Sequence, residues 1–592
     1  MLFEHRAPST EHRARAQCAT IVQVKVENPP GKRPPIGISL LTLFPLIVVF
    51  SVPSFGEDTP FDPIVFELRK STGVDFVIEP SRTENRYQPE AFISGVALFD
   101  YNNDGFLDIY AVSGATMPGL KKTKKVHYNR LYKGNGDFTF KDVTDQAGVR
   151  GRGYTHGVVA ADYDDDGDQD LFVAGLRENI LYQNNGDGTF ADVTLAAGLS
   201  RPDPEYGTLW AVAAAFVDYD RDGRLDLFVS NYCVWDPETE RVCGSAGSRD
   251  YCHPKYYHGL PNSLFHNDGN GTFSDVSVVS GIRQHVGKGM GIGAADFDDD
   301  GWIDLYVGND TVPAFHFRNL GNGTFEEIAF ESGNAFTFEG AAVASMGVDA
   351  RDVNNDGLTD IFVAAMFNEQ MPLFLNLGGN LFDEISGPTG LAAMTRDRTG
   401  WSNGIYDFNN DGWKDLFAAS GDVMDPEGIY GGRVPQTNTL LANLKTGKFA
   451  DAIPSAGKEF GESKAVHRGA AFGDIDNDGR VDVVVTALSG PTEIWRNVSP
   501  LPKHWLLIST VGSQSNRDGI GTKIRVNTTS GAQYNHVNTA VGYGCASDKR
   551  VHFGLGEEKL IDEVQITWPS GVVQTLNQVE ADQILVVHEP VE

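Results

Sequence analysis

Short apolar stretches alternate with acidic, glycine-bearing turns along most of the chain. In "GVVAADYDDDGDQDLFVAG", Gly157 to Gly175, one apolar run enters an acidic loop and another leaves it. Runs this short, bounded by Asp-Gly and Asn-Gly turns, predict β-strands joined by hairpins, because those turns supply the positive φ a tight reversal needs. The following "NILYQNNGDGTFADVTLAAGL" adds two further short strands, so the unit reads as four strands.

The acidic loop recurs seven times as acid, x, acid or Asn, x, Asp, Gly, x, x, Asp, starting at Asp100, Asp162, Asp218, Asp296, Asp352, Asp407 and Asp474. The starts are 62, 56, 78, 56, 55 and 67 residues apart, so each repeat is one supersecondary unit with variable insertions. Seven four-stranded units predict an all-β, seven-bladed β-propeller, which removes exposed strand edges by closing radially. The seventh repeat ends at "TEIWRN", Asn497, without the "GTFxDVTxxAG" strand of the others. That missing piece stands before the first loop: "FELRKSTGV", Phe66 to Val74, is similar to "FKDVTDQAGV", Phe140 to Val149. Residues from about 62 to 78 are therefore predicted to supply the outer strand of the last blade. Beyond Pro502, "WLLIST", "TKIRVNT", "VHFGLG", "VQITWPSG" and "ILVVHE" alternate apolar and polar residues and predict a small β-domain. The organisation expected is a leader at 1–56, a propeller at 57–500 and the β-domain at 501–592.

With 41% hydrophobic and 10% aromatic residues among 592, the chain has enough apolar material to fold and is no disordered acidic tail. Its net charge of −32 opposes nucleic acid and anionic membranes. The basic cluster Lys121, Lys122, Lys124 and Lys125 reads as a solvated loop rather than a phosphate patch. Lys32 and Arg33 precede an apolar stretch from Ile36 to Phe50, and Ser54 and Gly56 follow, the pattern of a signal peptide cleaved near Gly56. With Pro45 inside it, that stretch falls short of the roughly 20 residues a membrane span needs. A secreted or extracytoplasmic location, periplasmic or cell-surface, is expected. Of the five cysteines, Cys18 falls in the leader; Cys243 and Cys252 form the preferred disulfide, and the pairing of Cys233 and Cys545 is left open. "CHP" at Cys252 and His253 lacks the partner spacing of a zinc site.

So many carboxylates in so few residues repel unless a cation or water compensates them. Oxygen ligands at loop positions 1, 3, 5 and 9, with glycine at 6 for the sharp turn, point to calcium, a hard cation that accepts flexible all-oxygen cages. The ligand sets are Asp100, Asn102, Asp104 and Asp108; Asp162, Asp164, Asp166 and Asp170; Asp218, Asp220, Asp222 and Asp226; and Asp296, Asp298, Asp300 and Asp304. The last three are Asp352, Asn354, Asp356 and Asp360; Asp407, Asn409, Asp411 and Asp415; and Asp474, Asp476, Asp478 and Asp482. The carbonyl of Asp168, at position 7, completes the second set. Where asparagine takes position 3, in repeats one, five and six, a charge is lost and binding should be weaker. Seven divalent ions would offset about 14 of the 32 net negative charges.

These loops resemble the FG-GAP/VCBS repeats of integrin-type propellers. The tail, through "NRDGIGTKIRV" (Asn516 to Val526), "GYGCASDKRVHFGLG" (Gly542 to Gly556) and "VQITWPSG" (Val564 to Gly571), resembles the ASPIC/UnbV domain of the cartilage acidic protein-like family. Gly519, Ile520 and Gly521 stand where such tails usually read Ala-Ile-Gly. The resemblance implies a calcium-binding adhesion or recognition module for extracellular protein or glycan. The alternative is a carbohydrate-active enzyme of lyase or dehydratase type, with its site at the channel mouth. The residues before the acidic loops would line that site: His156, Trp210, Lys288, Met290, Met346, Trp401, His467 and Arg468. No GxSxG, HExxH or Walker loop supports an enzyme, and His536 and His552 read as structural or surface groups. The insertion from Cys233 to His258 is the longest departure from the repeat and reads as a partner-binding surface.

Overall fold

The computed structural model of the chain describes residues 60–245, 248–423, 434–500 and 503–591. The expected signal peptide and Cys18 lie outside these residues. The second repeat shows the common plan: Tyr154–Ala161, Asp170–Leu176, Ile180–Asn184 and Phe190–Asp192 pair antiparallel in chain order. The acidic loop joins the first two of these strands. Among the described residues seven sheets follow this plan, six of four strands and one extended to six. Their first strands, Val96–Phe99, Tyr154–Ala161, Ala211–Val217, Gly289–Ala295, Val348–Arg351, Gly400–Tyr406 and His467–Gly473, lie each against the next, and the last against the first. The result is a closed propeller. Every residue of these inner strands is buried, which is why most of them, such as Ala211–Val217, read as runs of small and apolar residues rather than alternating.

The last sheet is completed from the other end of the chain. Phe66–Leu68 pairs antiparallel with Glu493–Asn497, setting Phe66 opposite Asn497 and Leu68 opposite Trp495.

The tail forms two sheets, one of Val551–Gly556, His504–Val511 and Gln583–His588, the other of Gly531–His536, Lys523–Thr528, Leu560–Thr567 and Val573–Glu580. It lies against the acidic-loop side of the ring: Arg221 Nε donates to Pro569 O at 2.9 Å, and Lys414 Nζ to Tyr534 O at 2.9 Å. From it a hairpin, Ala540–Val541 and Cys545–Ala546, enters the ring and extends the first sheet, with Ala546 parallel to Ala97. Part of the tail thus lies inside the ring, a placement that the alternation of its strands does not signal.

Candidate metal-binding loops

Each loop is wound by its own carboxylates. The position-1 aspartate accepts the N–H of the glycine at position 6 in all seven copies, at 2.7–3.2 Å. That glycine has φ of 84–98° throughout, a conformation that would strain any side chain. The position-5 aspartate accepts the N–H of position 7, for example Asp300 from Trp302 at 3.0 Å. The position-9 aspartate is wholly buried and accepts two backbone N–H groups. Asp304 takes that of Phe297 at 3.2 Å and that of Asn319 at 2.7 Å.

Position 3 is different. The Oδ1 atoms of Asn102, Asp164, Asp220, Asp298 and Asp476 are buried and have no hydrogen-bond partner. A buried acceptor left unmade costs about 1–3 kcal/mol, so five loops carry an oxygen that the protein itself does not satisfy. In loops five and six the atom is used: Asn354 Oδ1 accepts from Asp356 N at 3.1 Å, and Asn409 Oδ1 from Asp411 N at 3.2 Å. Carboxylate oxygens of Asp162, Asp164 and Asp170, of Asp218, Asp220 and Asp222, of Asp296, Asp298 and Asp300, and of Asp474, Asp476 and Asp482 each converge within 4.8 Å. The donor sets of loops two, three, four and seven therefore fit a hard cation best.

Burial raises the affinity of these carboxylates for protons. It pushes Asp108 up to about 8 and Asp170 to about 9. It also brings Asp162, Asp218 and Asp474 to about 7, with the Asp518 charge adding to the first shift and the Asp226 charge to the second. A divalent ion would hold them ionised.

Two features of the loops escaped sequence reading. The third strand of a blade aims one side chain at the acidic loop: Lys133 Nζ lies 2.9 Å from Asp104, Arg318 Nε 2.9 Å from Asp298, and Arg496 Nη2 2.7 Å from Asp476. In the second blade Gln183 Nε2 donates to Asp164 at 2.6 Å. The protein thus partly compensates its own charge. Next to that residue, in six blades, stands an asparagine whose side chain crosses to the preceding loop. Asn184, Asn267, Asn319, Asn376, Asn443 and Asn497 donate Nδ2 to the carbonyls of Tyr101, Tyr163, Tyr219, Phe297, Val353 and Phe408 at 2.7–3.1 Å. Gly134 takes its place in the first blade. The recurring Asn in "LYQN", "LFHN", "FRN" and "WRN" was the available signal, obscured by insertions that vary its distance from the loop. Asn319→Ala should cost about 1–3 kcal/mol, the penalty of stranding the buried Tyr219 carbonyl. Denaturant unfolding reads this, and an unchanged midpoint would show that the crossing bond does not hold the blades.

Position 4 ties the loops to their surroundings. Asn355 and Asn410 donate to the carbonyls of Gly412 and Gly479 in the next loop, both at 2.9 Å. Asp165 instead accepts from Arg517 N of the tail at 2.9 Å, and Asp299 is paired with Lys523, whose Nζ also lies 2.5 Å from Asp296.

The channel residues are brought together, but not around an opening. His156, Trp210, Lys288, Met290, Met346, Trp401, His467 and Arg468 are all buried. Phe92 packs between Trp210, Tyr232 and Trp401, with ring centroids 5.6, 4.9 and 5.8 Å away. From the tail, Tyr543 lies 5.2 Å from the Trp401 ring and donates its hydroxyl to Phe92 O at 3.0 Å. Arg468 stacks on Trp401 at 4.0 Å and donates to the carbonyls of Ala91 and Gly421, while His467 sits against Glu493 at 3.2 Å. Phe92 and Tyr543 both pack on Trp401, so a ligand reaching that ring would displace one of them.

Cys243 and Cys252 form a disulfide that closes a small hairpin, whereas Cys233 and Cys545 are free and buried. Trp235 and Tyr251 of the same insertion are buried, Trp235 edge-on to Tyr87 at 5.7 Å; Tyr256 remains exposed. Lys122 departs from its reading as a solvated residue. It is half-buried, and its Nζ donates to the carbonyls of Ser113, Gly114 and His127 at 2.6–3.0 Å. His536 and His552 are buried. Among the described residues no helix is long and apolar enough to cross a membrane.

This architecture defines an acidic-loop propeller carrying a C-terminal β-domain, and the comparisons with known proteins agree on both parts. Residues 100–173, 162–229, 256–307, 296–363, 352–418 and 407–485 match the FG-GAP-like repeat family, and residues 512–592 match the ASPIC and UnbV family. The chain belongs to the FG-GAP-like repeat proteins that carry an ASPIC and UnbV domain. It is similar to cartilage acidic protein 1 of Mus musculus, with 24% identity over 94% of this chain and 81% of the relative. The Homo sapiens protein of that name is also 24% identical, over 85% and 72%. Among solved structures, a Bacillus licheniformis rhamnogalacturonan lyase is 11% identical over 82% of each chain, with a TM-score of 0.38, too slight a likeness to carry an argument.

Proposed function

We propose that the chain is an exported propeller whose acidic loops bind calcium, and that the rigid ring so formed serves as an extracellular adhesion or recognition module for protein or glycan. The observation that carries the metal reading is the set of buried position-3 oxygens without partners, standing beside carboxylates that converge within 4.8 Å. Hard oxygen donors on a flexible loop favour calcium. The extracellular setting is supported by the name of the relatives, cartilage acidic protein 1, and by a disulfide, which persists in oxidising compartments. Phe92 and Tyr543 packed against Trp401 favour recognition on the outer surfaces, among them the exposed Tyr256, which is flanked by Arg241 and Lys255 at 5.1 and 5.2 Å from its ring.

Calcium calorimetry with thermal unfolding tests this reading. Loops two, four and seven should form the tighter class and loops one, five and six the weaker, since the latter have asparagine at position 3, while the third loop, with His266 beside it, stands apart. At a hundredfold excess over its dissociation constant each filled site adds about 2.7 kcal/mol, so chelation should lower the melting temperature by well over ten degrees. Melting that ignores calcium would overturn the metal reading. Arrays of glycans and matrix proteins probed with the calcium-loaded chain address recognition, and turnover of a glycan would move the assignment to an enzyme.

A further inference from the structure

One loop differs from the other six in the residue its third strand offers. That position is Lys133, Gln183, Leu375, Ala442, Arg318 or Arg496 elsewhere, none of which is a metal ligand of the nitrogen type. In the third blade it is His266, on the strand Ser263–Asn267. Its Nδ1 lies 3.3 Å from Asp220 Oδ2 and 3.2 Å from Asp226 Oδ1, and the three atoms fall within 4.8 Å of one another. Despite those distances Nδ1, shielded from solvent, is aligned as a hydrogen bond to neither oxygen. Asp220 Oδ1 beside it is also buried and unpartnered. Asp226 is itself fully buried and held in place by the N–H groups of Tyr219 and Asn267 at 3.2 and 2.8 Å.

An imidazole nitrogen at ion-pair distance from two carboxylates, aligned as a hydrogen bond to neither, has the arrangement of ligands around a common centre. Spacings of 3.2–3.3 Å are those of atoms each held about 2.0–2.2 Å from one ion. Calcium takes oxygen, whereas imidazole with carboxylates suits zinc and its neighbours in the first transition row. We propose that the third loop is a site for a borderline divalent transition metal of the zinc class, ligated by His266 Nδ1, Asp220 and Asp226, and is not another copy of the calcium site. The inference rests on the reading that the loops hold cations, but it concerns the choice of ion at one of them. The opposing account makes His266 a built-in cation that does for Asp220 what Lys133 does for Asp104. The two are exclusive, because a metal needs the neutral imidazole.

The test uses the full chain, stripped of metal and then placed in excess calcium to fill the oxygen-only loops, with Co²⁺ as the spectroscopic probe. One equivalent of Co²⁺ should bind in the presence of calcium, with visible ligand-field absorption and a paramagnetically shifted imidazole N–H resonance. His266→Gln should weaken it on the order of a hundredfold or more. His266→Lys keeps a cation beside Asp220 and should leave melting within a few degrees of wild type while abolishing the shifted resonance. Equal Co²⁺ affinity in wild type and His266→Gln, or a bound Co²⁺ without the imidazole signal, overturns the proposal. Loss of all calcium response with the His266-dependent Co²⁺ site intact would instead overturn the general calcium reading and leave this one standing.

Discussion

A chain cut to begin after Ile78 should lose its cooperative melting transition altogether. The segment removed spans three blades. Phe66 N donates to Ala456 O at 3.0 Å and Asn409 Nδ2 to Asp62 O at 2.9 Å on the sixth blade; the strand pairs with Glu493–Asn497 of the seventh; and Phe140 N of the first blade donates to Thr72 O at 2.7 Å. Its apolar side chains Ile64, Phe66, Phe76 and Ile78 are buried, Phe66 stacked on Phe460 at 5.2 Å and edge-on to Phe408 at 5.6 Å. At about 1.5–3 kcal/mol each, those four alone represent roughly 6–12 kcal/mol, which is the size of a whole domain's stability. Phe66→Ala, the milder lesion, should cost about 3–5 kcal/mol through the cavity it leaves. Circular dichroism melts in saturating calcium read both. A truncated chain that melts within a few degrees of wild type would mean that the ring closes without this strand.

The need for that strand was legible because a repeat protein exposes its own omissions: "TEIWRN" stops where the other units continue, and "FELRKSTGV" carries the missing pattern. The acidic loops were legible for a related reason. Their spacing is set by one turn of backbone, so it survives every insertion. What joins one blade to the next was harder to see. The Asn319 side chain answers to Tyr219, which lies in another repeat, and no period within a unit marks such a contact. The same holds for Lys122. Four lysines in a short span look like a solvated surface, and only the fold reveals that three carbonyls converge on one of them. The channel residues were found by position, but their environment was not. Phe92 and Tyr543, which fill the space between them, come from opposite ends of the chain and share no motif.

Tyr543→Ala should be the most damaging single change in the tail. The ring is fully buried at the centre of the propeller, against Trp401, with its hydroxyl on Phe92 O. Removing it takes away packing worth about 3–5 kcal/mol, by comparison with other large aromatics. Tyr543→Phe keeps that packing and should lose only about 1–3 kcal/mol, from the carbonyl left unmet. The neighbouring Gly542 has φ of 74°, and a Cβ there would stand 2.1 Å from Ser402 Oγ and 2.9 Å from the Asn403 backbone. Gly542→Val should therefore expel the hairpin rather than merely loosen it. Since the hairpin extends the first sheet and also meets Val348 of the fifth blade, the ring and the tail should melt as one transition in wild type and as two in Gly542→Val. Acrylamide quenching of Trp401 should rise together with the split, because withdrawing Tyr543 uncovers that ring. A single transition with unchanged quenching would show that the hairpin rests in the channel without fastening the tail to the propeller.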